Sequence, residues 1–216
     1  MKNIKSIAVG LYLVIAALGI ATNSAKATLL ELDLNAPADN LITLDTLTGL
    51  EWLDVTATLG QSFNQAASSI FVTTQGFRHA NQAEVLQLFQ NFGATDINTA
   101  NAGTPLFPGN FAPGVNFLNL LGCTGQCSST TFAFNTGLFA GGTFPATGAF
   151  VAVNTDDSTA AFTLEQGAFG LDSNPGGLTG NFLVRETLLD LPEPGTLAIL
   201  GLGLVGLGYS RLRKKA

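Results

Sequence analysis

Asp45-Thr46-Leu47-Thr48-Gly49-Leu50-Glu51-Trp52-Leu53-Asp54 decides how this chain folds. Asp, Thr and Gly over 45–49 are turn chemistry, and Gly49 supplies the conformation that sends Leu50 and Trp52 inward. The chain beyond it is extended and carries the single tryptophan, a core anchor by size. On the N-terminal side Leu41–Leu44 is a second short strand, and Leu29–Leu34 alternates apolar and acidic residues as a half-buried strand does. On the C-terminal side the period changes. Phe63, Ala66, Ala67 and Ile70 have helical spacing behind Ser62 or Asn64 as N-cap. Gly76-Phe77-Arg78-His79-Ala80 is a turn and a short strand. Asn81 then opens a helix whose buried stripe is Ala83, Val85, Leu86, Leu88 and Phe89, with Glu84 at the third position to complete a capping box.

Past Gly93 the helical signal fades. Residues 94–148 are rich in Gly, Asn, Thr, Pro and Phe and are expected to be loops whose phenylalanines dip into the core. Phe132 and Phe134, Phe150–Val153, Ala161–Leu164 and Phe182–Arg185 are strands, and Asn154-Thr155-Asp156-Asp157 is a hairpin turn. That turn lacks the spaced ligands of a calcium loop. The expected class is α+β, with two helices and short antiparallel strands. An all-β sandwich is the alternative, because the second half shows no helix.

The two ends read differently. Lys2 and Lys5 precede an apolar run from Ile7 to Ile20, and Ala25-Lys26-Ala27 follows. That is the pattern of a signal peptide over 1–27, cut between Ala27 and Thr28 by signal peptidase. At the other end Pro192-Glu193-Pro194-Gly195 precedes an uncharged hydrophobic helix over 196–209 and a basic tail over 211–215. The prolines keep the boundary extended. The apolar run is short of the roughly 20 residues that cross a relaxed bilayer, and the basic cluster belongs on the cytoplasmic side. The segment between, 28–191, is then an extracytoplasmic domain. Of the 9 Lys and Arg it holds Arg78 and Arg185, and of the 15 Asp and Glu it lacks Glu193 alone. So acidic a surface repels phosphate backbones, so nucleic acid is not a partner. The two cysteines, Cys123 and Cys127, form a disulfide closing a tight loop in an oxidising compartment. Zinc would need further soft ligands, and the single histidine, His79, lies in another segment.

Two resemblances add to this. Pro192-Glu193-Pro194, the glycine-rich apolar span and the Arg/Lys end resemble the PEP-CTERM sorting signal, also labelled an ice-binding-protein C-terminal domain. Leu191 stands where that signal usually has valine. The resemblance implies an exosortase-type membrane protease as partner, a transient anchor in the inner membrane, and delivery to the cell surface or extracellular matrix. Asp45-x-x-Thr48-Gly49-Leu50-x-Trp52, followed by Gly76-Phe77-Arg78-x-Ala80-x-x-x-Glu84-Val85-x-x-Leu88, resembles DUF1566/Lcl-type domains. Phe77 and Ala80 depart from the usual Trp and Pro. This second resemblance implies a C-type-lectin-like fold, with N- and C-terminal strands adjacent.

No residue is assigned a catalytic role. His79 has no nucleophile beside it, and no G-x-S-x-G elbow occurs. Arg78 is expected to pair with Glu84 or Asp54 and fix helix against strand. Three functions are expected in this order: a non-enzymatic surface or matrix protein touching extracellular polysaccharide, a ligand-free structural or adhesive matrix component, and a secreted hydrolase using His79 or Glu84. No cofactor and no metal site is expected.

Overall fold

The computed structural model describes residues 27–99, 104–141, 146–165, 170–172 and 177–187. The expected signal helix and Ala25, and the tail with Pro192, Glu193 and Pro194, lie outside them.

The opening stretch forms a hairpin. β2 (Ile42–Asp45) and β3 (Leu50–Leu53) pair antiparallel, with Asp45 opposite Leu50. Gly49 at φ +70° makes the turn, and Asp45 Oδ1 accepts from the amides of Leu47 and Thr48. β1 (Leu29–Leu32) adds beside β2. β4 (Arg78–His79) is the far edge, and the last strand of the chain, β10 (Leu183–Glu186), inserts between β3 and β4. The order of this first sheet is β1-β2-β3-β10-β4. The expected adjacency of first and last strands is therefore not met. β10 pairs with β3 because Val184 lands opposite Trp52 and Arg185 opposite Glu51, which buries one pair and neutralises the other.

The second sheet is built on a meander of β6 (Phe132–Phe139), β7 (Thr147–Asn154) and β8 (Thr159–Glu165). Short parallel strands β5 (Ile97–Asn98) and β9 (Gly180–Asn181) flank it. The chain passes from β9 to β10 through Phe182 alone. Phe182 donates its amide to Leu138 in one sheet and accepts from Ala80 beside the other.

The described residues are α+β, with four α-helices in place of the two expected. The helix after Ser62 is divided into α1 (Phe63–Ala67) and α2 (Ile70–Thr73). Between them the Ser69 hydroxyl bonds the Ala66 carbonyl and competes with helix continuation. α3 (Gln82–Asn91) carries the predicted Asn81/Glu84 capping box. α4 (Phe111–Leu121) overturns the loop reading of 94–148 and removes the basis for an all-β alternative. Its Pro113 and Gly114 look like breakers. Pro113, however, sits in the first turn, where its missing N–H has no partner to lose, and Gly114 faces β7 and β8. A Cβ on Gly114 would lie 2.7 Å from Ala160 Cβ and 2.9 Å from Val153 Cγ2, so glycine sets how closely helix and sheet approach.

The main core lies between the sheets. Trp52, Phe182 and Val184 from the first sheet region meet Val151, Phe162 and Leu164 from the second, with Val85, Leu88, Phe89, Phe117 and Leu121 from α3 and α4 between them. Phe117 is its hub, with ring centroids 4.8–6.3 Å from Phe92, Phe89, Phe162 and Phe182. A smaller cluster of Ile42, Leu53, Phe77 and Leu183 covers the other face of the first sheet, under Phe71 and Val72 of α2.

Candidate functional site

The two arginines of 28–191 converge on one groove. β4 presents Arg78 and the neighbouring β10 presents Arg185, and the loop Thr74-Gln75-Gly76 closes a groove of about 440 Å³ together with Glu186. Arg78 grips Glu84 with two parallel bonds, Nη1–Oε2 2.8 Å and Nη2–Oε1 2.6 Å, the geometry that suits guanidinium and carboxylate best. Asp54, the other expected partner, instead caps the 3-10 turn Val55–Thr58 through the Thr56 amide. Glu84 also accepts from the Asn81 amide, so one carboxylate closes both a helix cap and an ion pair. The hydrogen bond from Arg78 holds the Glu84 carboxyl below the usual range against the opposing effect of burial, and Glu84 in turn raises Arg78.

Arg185 is held more tightly. Its Nε donates to Glu51 Oε2 at 2.7 Å, Nη1 donates to the Gln75 carbonyl at 2.9 Å, and the guanidinium lies 4.5 Å from the centroid of the Phe77 ring. A guanidinium has five N–H donors. Among the described residues Arg78 uses three and Arg185 two, so donors remain on both. Glu51, Glu84 and Glu186 outweigh the two cations, which leaves the groove slightly negative. It is furnished with fixed donors, acceptors and the Thr74 hydroxyl, a set that matches vicinal hydroxyls better than an anion. A second groove of about 510 Å³, between Phe92 and Phe111, Pro113 and Val115 at the start of α4, is mainly apolar and offers no such chemistry.

His79 points elsewhere. Its ring stacks on Phe63 at 3.6 Å, its Nε2 is 3.2 Å from Asn181 Oδ1, and burial lowers its pKa. Asn181 Nδ2 in turn donates to the Gln61 carbonyl, so His79 helps join α1 to both sheets. Trp52 is buried, as its size implied. Cys123 and Cys127 are disulfide-bonded, with Cα atoms 5.7 Å apart. The loop they close carries Gly125 against the Phe134 ring, so the bridge and β6 fix each other. In the Asn154–Asp157 turn Asn154 accepts from the amides of Asp156 and Asp157 and donates to the Asp157 carboxylate. Among the described residues no three His, Cys, Asp or Glu side chains gather as metal ligands would. What sequence reasoning missed is the convergence of Arg185 with Arg78. The sign was their rarity, but the shared groove depends on β10 pairing with β4, over a hundred residues away in sequence.

Thr28, the residue after the expected signal cut, is tied to the β2–β3 turn: its amide donates to Thr46 Oγ1 and its carbonyl accepts from the Thr46 amide, both at 3.1 Å. At the other exit of the first sheet the Thr187 amide donates to the Gly49 carbonyl at 2.9 Å. Beyond Thr187 the chain runs into the Pro-Glu-Pro segment.

That segment matches a family model. Residues 190–214 are a PEP-CTERM protein-sorting motif. The motif indicates sorting to the surface by an exosortase-type system, and it implies an exported protein with a C-terminal membrane anchor. Among the described residues no helix is long and apolar enough to cross a membrane. No curated protein and no solved structure matches the chain.

Proposed function

We propose that this is a non-enzymatic surface or matrix protein that binds neutral extracellular polysaccharide in the Arg78/Arg185 groove after PEP-CTERM sorting. The groove carries the reading: two guanidinium groups, fixed by Glu84 and Glu51, line it beside Gln75, Thr74 and Glu186 and have N–H donors in excess of the bonds they make among the described residues. Donors held in place before binding lose little entropy on it, which is how a small polar groove gains affinity for hydroxyls. The excess of carboxylates disfavours uronic acids and sulfated sugars, so the ligand is a neutral glycan. The resemblance of 45–88 to lectin-like domains supports a carbohydrate partner. The place of His79, stacked on Phe63 and bonded to Asn181, supports a role in packing and not in hydrolysis.

A glycan array probed with the mature protein tests this. Neutral polysaccharides are expected to bind, and Arg78→Gln is expected to weaken them about tenfold with little change in melting, since the Arg78 side chain is half exposed. An array without neutral hits, or binding indifferent to Arg78→Gln and Arg185→Gln, would return the protein to a ligand-free structural role.

A further inference from the structure

We infer that one end of the first sheet is the face this domain turns to the phospholipid surface while its sorting tail is still in the membrane. The inference rests on the PEP-CTERM motif for the existence of that tail. The register supplies the geometry. Leu29 lies opposite Asp45, Asp45 opposite Leu50 and Leu50 opposite Glu186, so these four residues form one row across four strands. Thr28 precedes the row and Thr187 follows it. Both exits of the domain, toward the signal peptide and toward the tail, therefore leave the same end of the same sheet. Three strand spacings separate them, roughly 14 Å.

The turn 46–49 joins the two exits. Thr28 is bonded to Thr46 on one flank and Thr187 to Gly49 on the other. Residues 188–195 are all that intervene before the hydrophobic run that opens at Thr196, and even fully extended they place Thr196 within roughly 31 Å of Thr187. The tether leaves from this end, so this end stays within its reach of the membrane, while the opposite end, with Asn40 and the start of β10, lies a further strand length away. The chemistry of the end suits that place. In a strongly acidic domain the row Thr28, Thr46, Leu47, Thr48, Gly49 and Thr187 is uncharged, Asp45 beneath it is buried, and Leu47 is 48% exposed at the tip. Two charged groups lie at this end, Asp45, which is buried, and Glu186, which is exposed.

The test is photocrosslinking in the full-length precursor in its native host, with the probe at Thr48 or at Asn40, followed by lipid-specific detection. Thr48 is expected to label phospholipid at least tenfold more than Asn40. Equal labelling, a reversed ratio, or labelling from Thr48 confined to protein would overturn the inference. A second reading uses the tether: deleting Leu188 and Leu189 is expected to slow C-terminal trimming about tenfold, and replacing both by Gly-Ser to restore it. Trimming indifferent to the deletion would overturn the inference as well. Glu193→Ala separates this from the sorting reading. If Glu193→Ala precursor is trimmed at the normal rate, exosortase-type sorting falls, whereas the Thr48/Asn40 contrast needs only a tail in the membrane.

Discussion

Glu84 closes a helix cap and an ion pair with one carboxylate, so its replacements separate two effects. Glu84→Ala is expected to cost about 1–2 kcal/mol, the sum of a cap and a half-exposed pair, whereas Arg78→Met should cost under about 1 kcal/mol; paired thermal melts decide this. The cap was legible in the sequence because its spacing is local, whereas the sequence left Arg78 a choice of Glu84 or Asp54 and the structure takes Glu84. The Asp39 carboxylate was not legible. It accepts from the amides of Leu34, Asn35, Ala36 and Leu41, which lower its pKa from 3.8 to about 2, and nothing in the order of residues announces that a loop wraps one side chain. Its stabilising contribution is full above pH 3.8 and lost as pH falls through about 2. His79 acts over a higher range. Burial lowers its folded pKa, so below the ordinary value of about 6.5 the unfolded chain binds the proton more readily and stability falls. Melting temperature is therefore expected to decline from about pH 6.5 downward, and His79→Gln to flatten that first part of the decline while leaving the drop below pH 3.8.

Among the elements, α4 shows most clearly where pattern reading stops. Gly114 and Pro113 carry breaker signals, and tertiary contact with β7 and β8 overrides them. Gly114→Ala gains helix propensity yet places a methyl against Ala160 and Val153, and overpacking of this kind costs about 1–3 kcal/mol. A lower melting temperature for Gly114→Ala is expected, and a higher one would mean that helix and sheet can separate cheaply. Phe117→Ala removes the ring shared by four aromatic neighbours and is expected to cost about 3–5 kcal/mol by denaturant titration. The hairpins β2–β3 and β7–β8 were readable because strand, turn and strand follow one another in sequence, whereas the pairing of β6 with β7 was hidden in the loop reading of 94–148. The insertion of β10 between β3 and β4 was not readable either, since residues over a hundred positions apart set it.

At the scale of the whole molecule, residues 180–186 hold the two sheets together. β9 belongs to one sheet, β10 to the other, and Phe182 between them is buried in the shared core. A chain ending at Thr187 is expected to melt cooperatively, and one ending at Gly177 to lose the transition altogether, as circular dichroism would record. Export runs from the N-terminus, and a strand that emerges last yet occupies the middle of its sheet imposes an order of events. β3 and β4 are expected to lack their shared neighbour until residues 183–186 arrive. Completion of the first sheet is therefore expected to wait for the last residues of the domain, those just before the sorting tail.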